Sequence, residues 1–118
     1  MIYLASPYSH DEATIRGHRF NEVLKCVAHF TRQQILVYSP IVHNHPVNME
    51  LGADGSWEFW QEHDMAMLLK CDTFYILKLP GWEESVGVKA ETQAASNMLM
   101  PIYEVDHETY DLRPRTSR

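Results

Sequence analysis

Residues 60–81 read WQEHDMAMLLKCDTFYILKLPG, and the change of period inside this stretch decides the fold. Up to about Lys70 the apolar residues recur at helical spacing, with Trp57, Trp60, Met67 and Leu68 on one stripe, and Ser56 offers a hydroxyl to the free amides of a first turn. Residues 72–79 then carry the apolar run Phe74, Tyr75, Ile76 and Leu77 with Leu79, a buried-strand pattern stopped by Pro80 and Gly81. A helix that runs straight into a strand apolar on both faces is the unit of a parallel sheet covered by helices. The same alternation extends in both directions. Residues 2–5 form a short apolar strand ended by Ser6-Pro7. From Asp11 onward Ala13, Phe20, Val23, Leu24, Val27, Ala28 and Thr31 fall on one face of a long helix, and residues 35–38 form a second strand. Residues 39–55, with two Pro and two Gly, are too polar and interrupted for regular structure and are predicted to be a functional loop. Ser85 starts a helix that reaches about Asn97, and residues 100–103 form a fourth strand. The order βαβαβαβ predicts an α/β protein of three layers that binds ligand beyond the carboxyl ends of its strands, at residues 6–10, 39–55 and 80–85.

Composition narrows the partners. A chain of 118 residues suits one core, here a domain over 1–110 followed by a loose polar tail over 111–118. Hydrophobic residues make up 45% and charged residues 22%, a balance that supports folding rather than disorder. The formal charge of −6 argues against sequence-independent binding to nucleic acid, which draws on clustered Lys and Arg, and favours a small-molecule partner. Cys26 and Cys71 lie too far apart for a zinc or redox motif and read as reduced core residues. The start Met1-Ile2-Tyr3-Leu4 has no basic leader, and no apolar run approaches the ~20 residues of a membrane span, so a cytoplasmic protein without a membrane partner is expected.

Two acids stand where helical periodicity calls for burial. Asp64 shares the stripe of Trp57, Trp60, Met67 and Leu68, and an ionised carboxylate there must be paired, hydrogen-bonded or protonated, as general acids are. A boundary Asp bound to a neighbour satisfies the same pattern. Glu91 has only Gly87, Val88, Ala94 and Ala95 at helical contact distance and lies too deep in its helix to cap it; small neighbours leave room for a ligand, or for the side chain to reach water. The segment GWEESVGV, 81–88, offers an anion the amides of a helix start, or is an ordinary N-cap at Ser85. His43 and His45 suggest substrate contacts or the filling of a polar loop, and with a carboxylate they suggest a metal site that lacks a third ligand; no metal or cofactor is expected. Tyr8, Trp57 and Trp60 offer faces on which a base can stack, although core packing accounts equally well for at least one Trp.

Taken in order, YLASPYS near the start, WQEHDMAMLLKCDTFYILKLP, and SVGVKAETQAASNMLMPI resemble the nucleoside 2-deoxyribosyltransferase-like superfamily, which includes deoxyribosyltransferases and deoxynucleoside monophosphate N-glycosidases. The resemblance spans residues 1–103, and the block 60–102 is its most specific part. It implies a single-domain three-layer sandwich around a parallel, flavodoxin-like sheet of four or five strands, in a homodimer or larger homo-oligomer. It implies cleavage or transfer at the N-glycosidic bond of a nucleoside or nucleoside monophosphate. Glu91 is then the nucleophile or charge stabiliser at the anomeric carbon, Asp64 handles protons and contacts the sugar, Tyr3 positions Glu91 or the sugar, and, as in the monophosphate-cleaving branch, Ser85 holds a phosphate, with Gly87 a substrate contact beside it. Ser6, Tyr8, His43, His45 and Trp60 are the further substrate contacts expected. Where the family has a Gly-rich first loop, this chain reads Ser6-Pro7-Tyr8-Ser9. Two other classes of function fit the residues: a module that binds a nucleotide or nucleotide-sugar without turnover, and a metal-dependent phosphohydrolase using His43 and His45.

Overall fold

The apolar segments pair into one sheet. In the computed structural model, which describes residues 1–52 and 56–115, strands β1 (Ile2–Ala5), β2 (Val37–Tyr38), β3 (Thr73–Leu77), β4 (Ile102–Val105) and β5 (Leu112–Pro114) lie in the order β2-β1-β3-β4-β5. This is the flavodoxin-like, doubly wound order. β1 is central, with Ile2 opposite both Val37 of β2 and Thr73 of β3, and Phe74 lies opposite Ile102 of β4; these three pairings are parallel. The β4–β5 pairing is antiparallel, with Glu104 opposite Arg113. Residues 111–115 are therefore not a loose tail: Leu112–Pro114 closes one side of the sheet, and the amide of Arg115 donates to the carbonyl of Ile102 at 2.8 Å. The rest of the expected tail, 116–118, lies outside the described residues.

Successive strand residues alternate between two cores, as the pleat requires. Tyr3, Ala5, Phe74, Ile76 and Ile102 face one layer, closed by Leu68 of α3 (Trp57–Leu68) and by Val88 and Ala95 of α4 (Val86–Asn97). Leu4, Tyr75, Leu77 and Val105 face the other, closed by Val23, Cys26 and Phe30 of α1 (Ala13–Arg32). The buried stripe of α1 is thus rotated from the expected one, and Leu24 is 43% exposed. Ser56 and Ser85 cap α3 and α4, accepting from the amides of Phe59 and Val88. Among the described residues no helix is long and apolar enough to cross a membrane.

The main correction concerns residues 39–55, expected to be an irregular loop. Pro40–Leu51 is a helix, α2. Ser39 caps it, its Oγ accepting from Val42 N at 3.1 Å, and Pro40 sits where a missing N–H costs nothing. Gly52 ends it in the left-handed region, φ 69°, donating to the carbonyl of Asn48. Two of the residues taken for loop formers therefore bound the helix, and only Pro46 interrupts its interior. Residues 53–55 of that expected loop lie outside the described residues.

Candidate active site

In the strand order β2-β1-β3-β4, the connection from β1 runs to β2 on one side and that from β3 runs to β4 on the other, which opens a crevice between the carboxyl ends of β1 and β3. A cavity of about 300 Å³ lies there. Ser6, Tyr8 and Ser9 from the loop after β1 line it, together with one stripe of α2 at helical spacing: Ile41, Asn44, His45 and Asn48. Trp57, Trp60 and Asp64 face it from α3, and Ser85, Val86, Gly87 and Glu91 from the start of α4.

Glu91 is 4% exposed. The hydroxyl of Tyr3, itself fully buried and stacked on Phe74, donates to Glu91 Oε2 at 2.6 Å. Burial pushes the Glu91 carboxyl up to about 8; the Tyr3 hydrogen bond opposes the shift and the charge of Asp64 adds to it. Tyr3 is held far above the ordinary phenol value, first by burial and then by Glu91, so it remains a donor. Asp64, 5% exposed, accepts from Asn44 Nδ2 at 2.9 Å, and His63 Nδ1 lies 3.4 Å from the same oxygen. Burial raises the Asp64 carboxyl above its usual range, and the contacts with Asn44 and His63 restrain it. Two buried carboxyl groups thus share one cavity, each raised by desolvation and each held by an identified donor.

Of the residues singled out from sequence, Glu91, Asp64, Ser6, Tyr8, His45, Trp60, Ser85 and Gly87 line the cavity, and Tyr3 stands behind Glu91. His43 does not line it. It lies two residues from His45 on one helix, and such neighbours face different sides. The exposed His43 stacks on His63 at 4.9 Å, whereas His45 stacks on Phe20 at 4.2 Å and meets the Tyr8 hydroxyl through Nδ1 at 2.5 Å. The two rings therefore do not converge on one ion. Trp60 serves packing as well as the cavity: it is buried, and its Nε1 donates to Asn48 Oδ1 at 3.2 Å. Ser85 Oγ is engaged as the cap of α4. At Gly87 an added Cβ would meet only ordinary contacts, 3.6 Å from Trp57, so the backbone does not demand glycine there and its absent side chain adds to the cavity.

Sequence reading missed Asn44 and Asn48, which hold Asp64 and Trp60 in place. Ser39-Pro40 before the spacing 41, 44, 45, 48, with Gly52 after it, was the signal available for a helix that presents them.

Residues 1–107 match the family model described as "Domain of unknown function (DUF1937)". No curated protein matches the sequence.

Proposed function

The chain belongs to the DUF1937 family, and we propose that this member cleaves or transfers the N-glycosidic bond of a nucleoside, deoxynucleoside or nucleoside monophosphate. The observation that carries the reading is a buried glutamate, Glu91, facing a ligand-sized cavity, gripped by Tyr3 and accompanied by a second buried acid, Asp64. Breaking the bond from C1′ to the base nitrogen sends the electron pair to the base and leaves positive charge on the sugar. The Glu91 carboxylate stabilises or traps that centre, and Asp64, whose carboxyl burial raises above its usual range, supplies the proton that leaves with the base. Water adding at C1′ gives a hydrolase; a second base adding there gives a transferase.

The raised Glu91 carboxyl suits this task. It is protonated in much of the resting protein near neutral pH and ionises more readily when positive charge develops beside it, so its attraction is strongest where the barrier is highest. Tyr8 and Trp57, which line the cavity, offer aromatic faces for the base. The exposed apolar Phe59 and Val86, on the two helices flanking the cavity, support a homodimer or larger homo-oligomer as the working form. The test is incubation of the protein with deoxynucleosides and their monophosphates, alone and with a second free base, followed by chromatography of the bases. Release or exchange from at least one substrate is expected. Intact substrates across the whole panel would sink the reading.

A further inference from the structure

Resting on the N-glycosidic reading, we propose that the site takes nucleosides without a phosphate, and that Glu58 and Glu84 are the residues that reject phosphorylated ones. The resemblance implies a phosphate contact at Ser85, but the charges around that residue argue the other way. Among the described residues the cavity lining carries the carboxyl groups of Glu58, Asp64, Glu84 and Glu91, and neither Lys nor Arg. Its one imidazole, His45, is pushed below its ordinary value by burial and then by Arg16, so at neutral pH it adds no positive charge.

Two guanidinium groups, those of Arg16 and Arg19, are engaged by loop carbonyls. Arg16 Nη1 donates to the carbonyl of His10, and its charge also acts on the Tyr8 hydroxyl and the His45 imidazole, on the side of the cavity formed by the loop after β1 and by α2. Arg19 donates to the carbonyls of Ser9 at 2.9 Å and Pro80 at 3.4 Å, joining the loops that follow β1 and β3. Gly81, at φ 92°, leaves the space Arg19 occupies: an added Cβ would lie 2.7 Å from its Nη2.

For an anion at Ser85, what the site offers is the start of α4. Ser85 Oγ is already accepting from Val88 N. A helix start offers about half a positive charge, against a phosphate of about −1.5 to −2. Glu84, immediately before the cap, and Glu58, on α3, each set a full negative charge against it at the cavity mouth. At Ser85 the balance disfavours a phosphate. A neutral partner fits the polar groups better. Ser6 is 5% exposed and lines the cavity, and its Oγ has no hydrogen-bond partner among the described residues, so it is available to a sugar hydroxyl or a base edge.

The experiment pairs a deoxynucleoside with its own 5′-monophosphate, measuring kcat/KM for base release and, by calorimetry, binding of each. The nucleoside should lead by about tenfold or more, and the lead should shrink from ~20 mM to ~500 mM salt as the mouth charges are screened. The double variant Glu58→Gln/Glu84→Gln should narrow that ratio several-fold, chiefly through the KM of the monophosphate. A monophosphate used equally well or better, or a ratio that the double variant leaves unchanged, overturns the proposal while leaving N-glycosidic cleavage standing. If neither compound releases base, the N-glycosidic reading fails, and binding alone decides the present one. A nucleoside bound more tightly than its monophosphate upholds it, and the reverse order, equal binding or no binding overturns it.

Discussion

Glu91 and Tyr3 are 88 residues apart in sequence, and 2.6 Å separates their oxygens. Each half of that pair was legible to a different degree. A Glu two turns into a helix among Gly and Ala neighbours is conspicuous in sequence, because neither capping nor a surface ion pair explains it. Its partner is not, since hydrogen bonds between distant segments leave no local pattern; only the family resemblance suggested Tyr3. Because the Tyr3 hydrogen bond favours the ionised carboxyl, Tyr3→Phe should move Glu91 above about 8 and shift the rising limb of kcat/KM against pH to higher pH, with activity at pH 7 falling ~10-fold or more. A limb that stays in place would show that the contact does not tune Glu91. The same carboxyl links pH to stability. Its folded value, about 8, lies above the ordinary 4.5, so its contribution is fully present below about 4.5 and is lost as pH rises through about 8. Thermal unfolding followed from pH 5 to pH 9 should therefore show wild type losing stability relative to Glu91→Gln, by an amount on the order of a few kcal/mol.

At the scale of the element, α2 separates what the sequence displayed from what it hid. Its ends were written in ordinary signals, Ser39 with Pro40 and then Gly52, yet Pro46 in the interior made the segment read as loop. An interior Pro removes one helical hydrogen bond and crowds the preceding turn, and here the helix persists because one face carries Asn44 and Asn48 into bonds with Asp64 and Trp60. Tertiary contacts, absent from any local window, overrode the local preference. Pro46→Ala should raise stability by about 1–2 kcal/mol, the regained hydrogen bond being partly offset by a more flexible unfolded chain. Asn44→Ala should cost about 1–3 kcal/mol and raise the Asp64 carboxyl further, because a buried acceptor loses its donor. Chemical denaturation of the two variants beside wild type checks both signs.

For the whole molecule, the parallel core was plain from the switch between helical spacing and continuous apolar runs, and with it the end of the sheet that holds the cavity. β5 was not, because Leu112–Pro114 is short and exposed along its length and so carries no apolar alternation; it is a strand only because β4 offers an unpaired edge. Truncation after Tyr110 should lower stability by about 1–3 kcal/mol without removing any described residue that lines the cavity, which chemical denaturation would register. The sheet brings Tyr3 from β1, Asp64 from α3 and Glu91 from α4 to one end of the molecule, and the proposed chemistry depends on that convergence. The most direct measurement is free base released from a deoxynucleoside panel by wild type and by Glu91→Gln, with the fold of both verified by circular dichroism. Wild type should release base, and the variant should be slower by ~10³-fold or more while remaining folded. Equal release by both proteins, or none by wild type, would contradict the assignment of Glu91 as the group that meets the anomeric carbon.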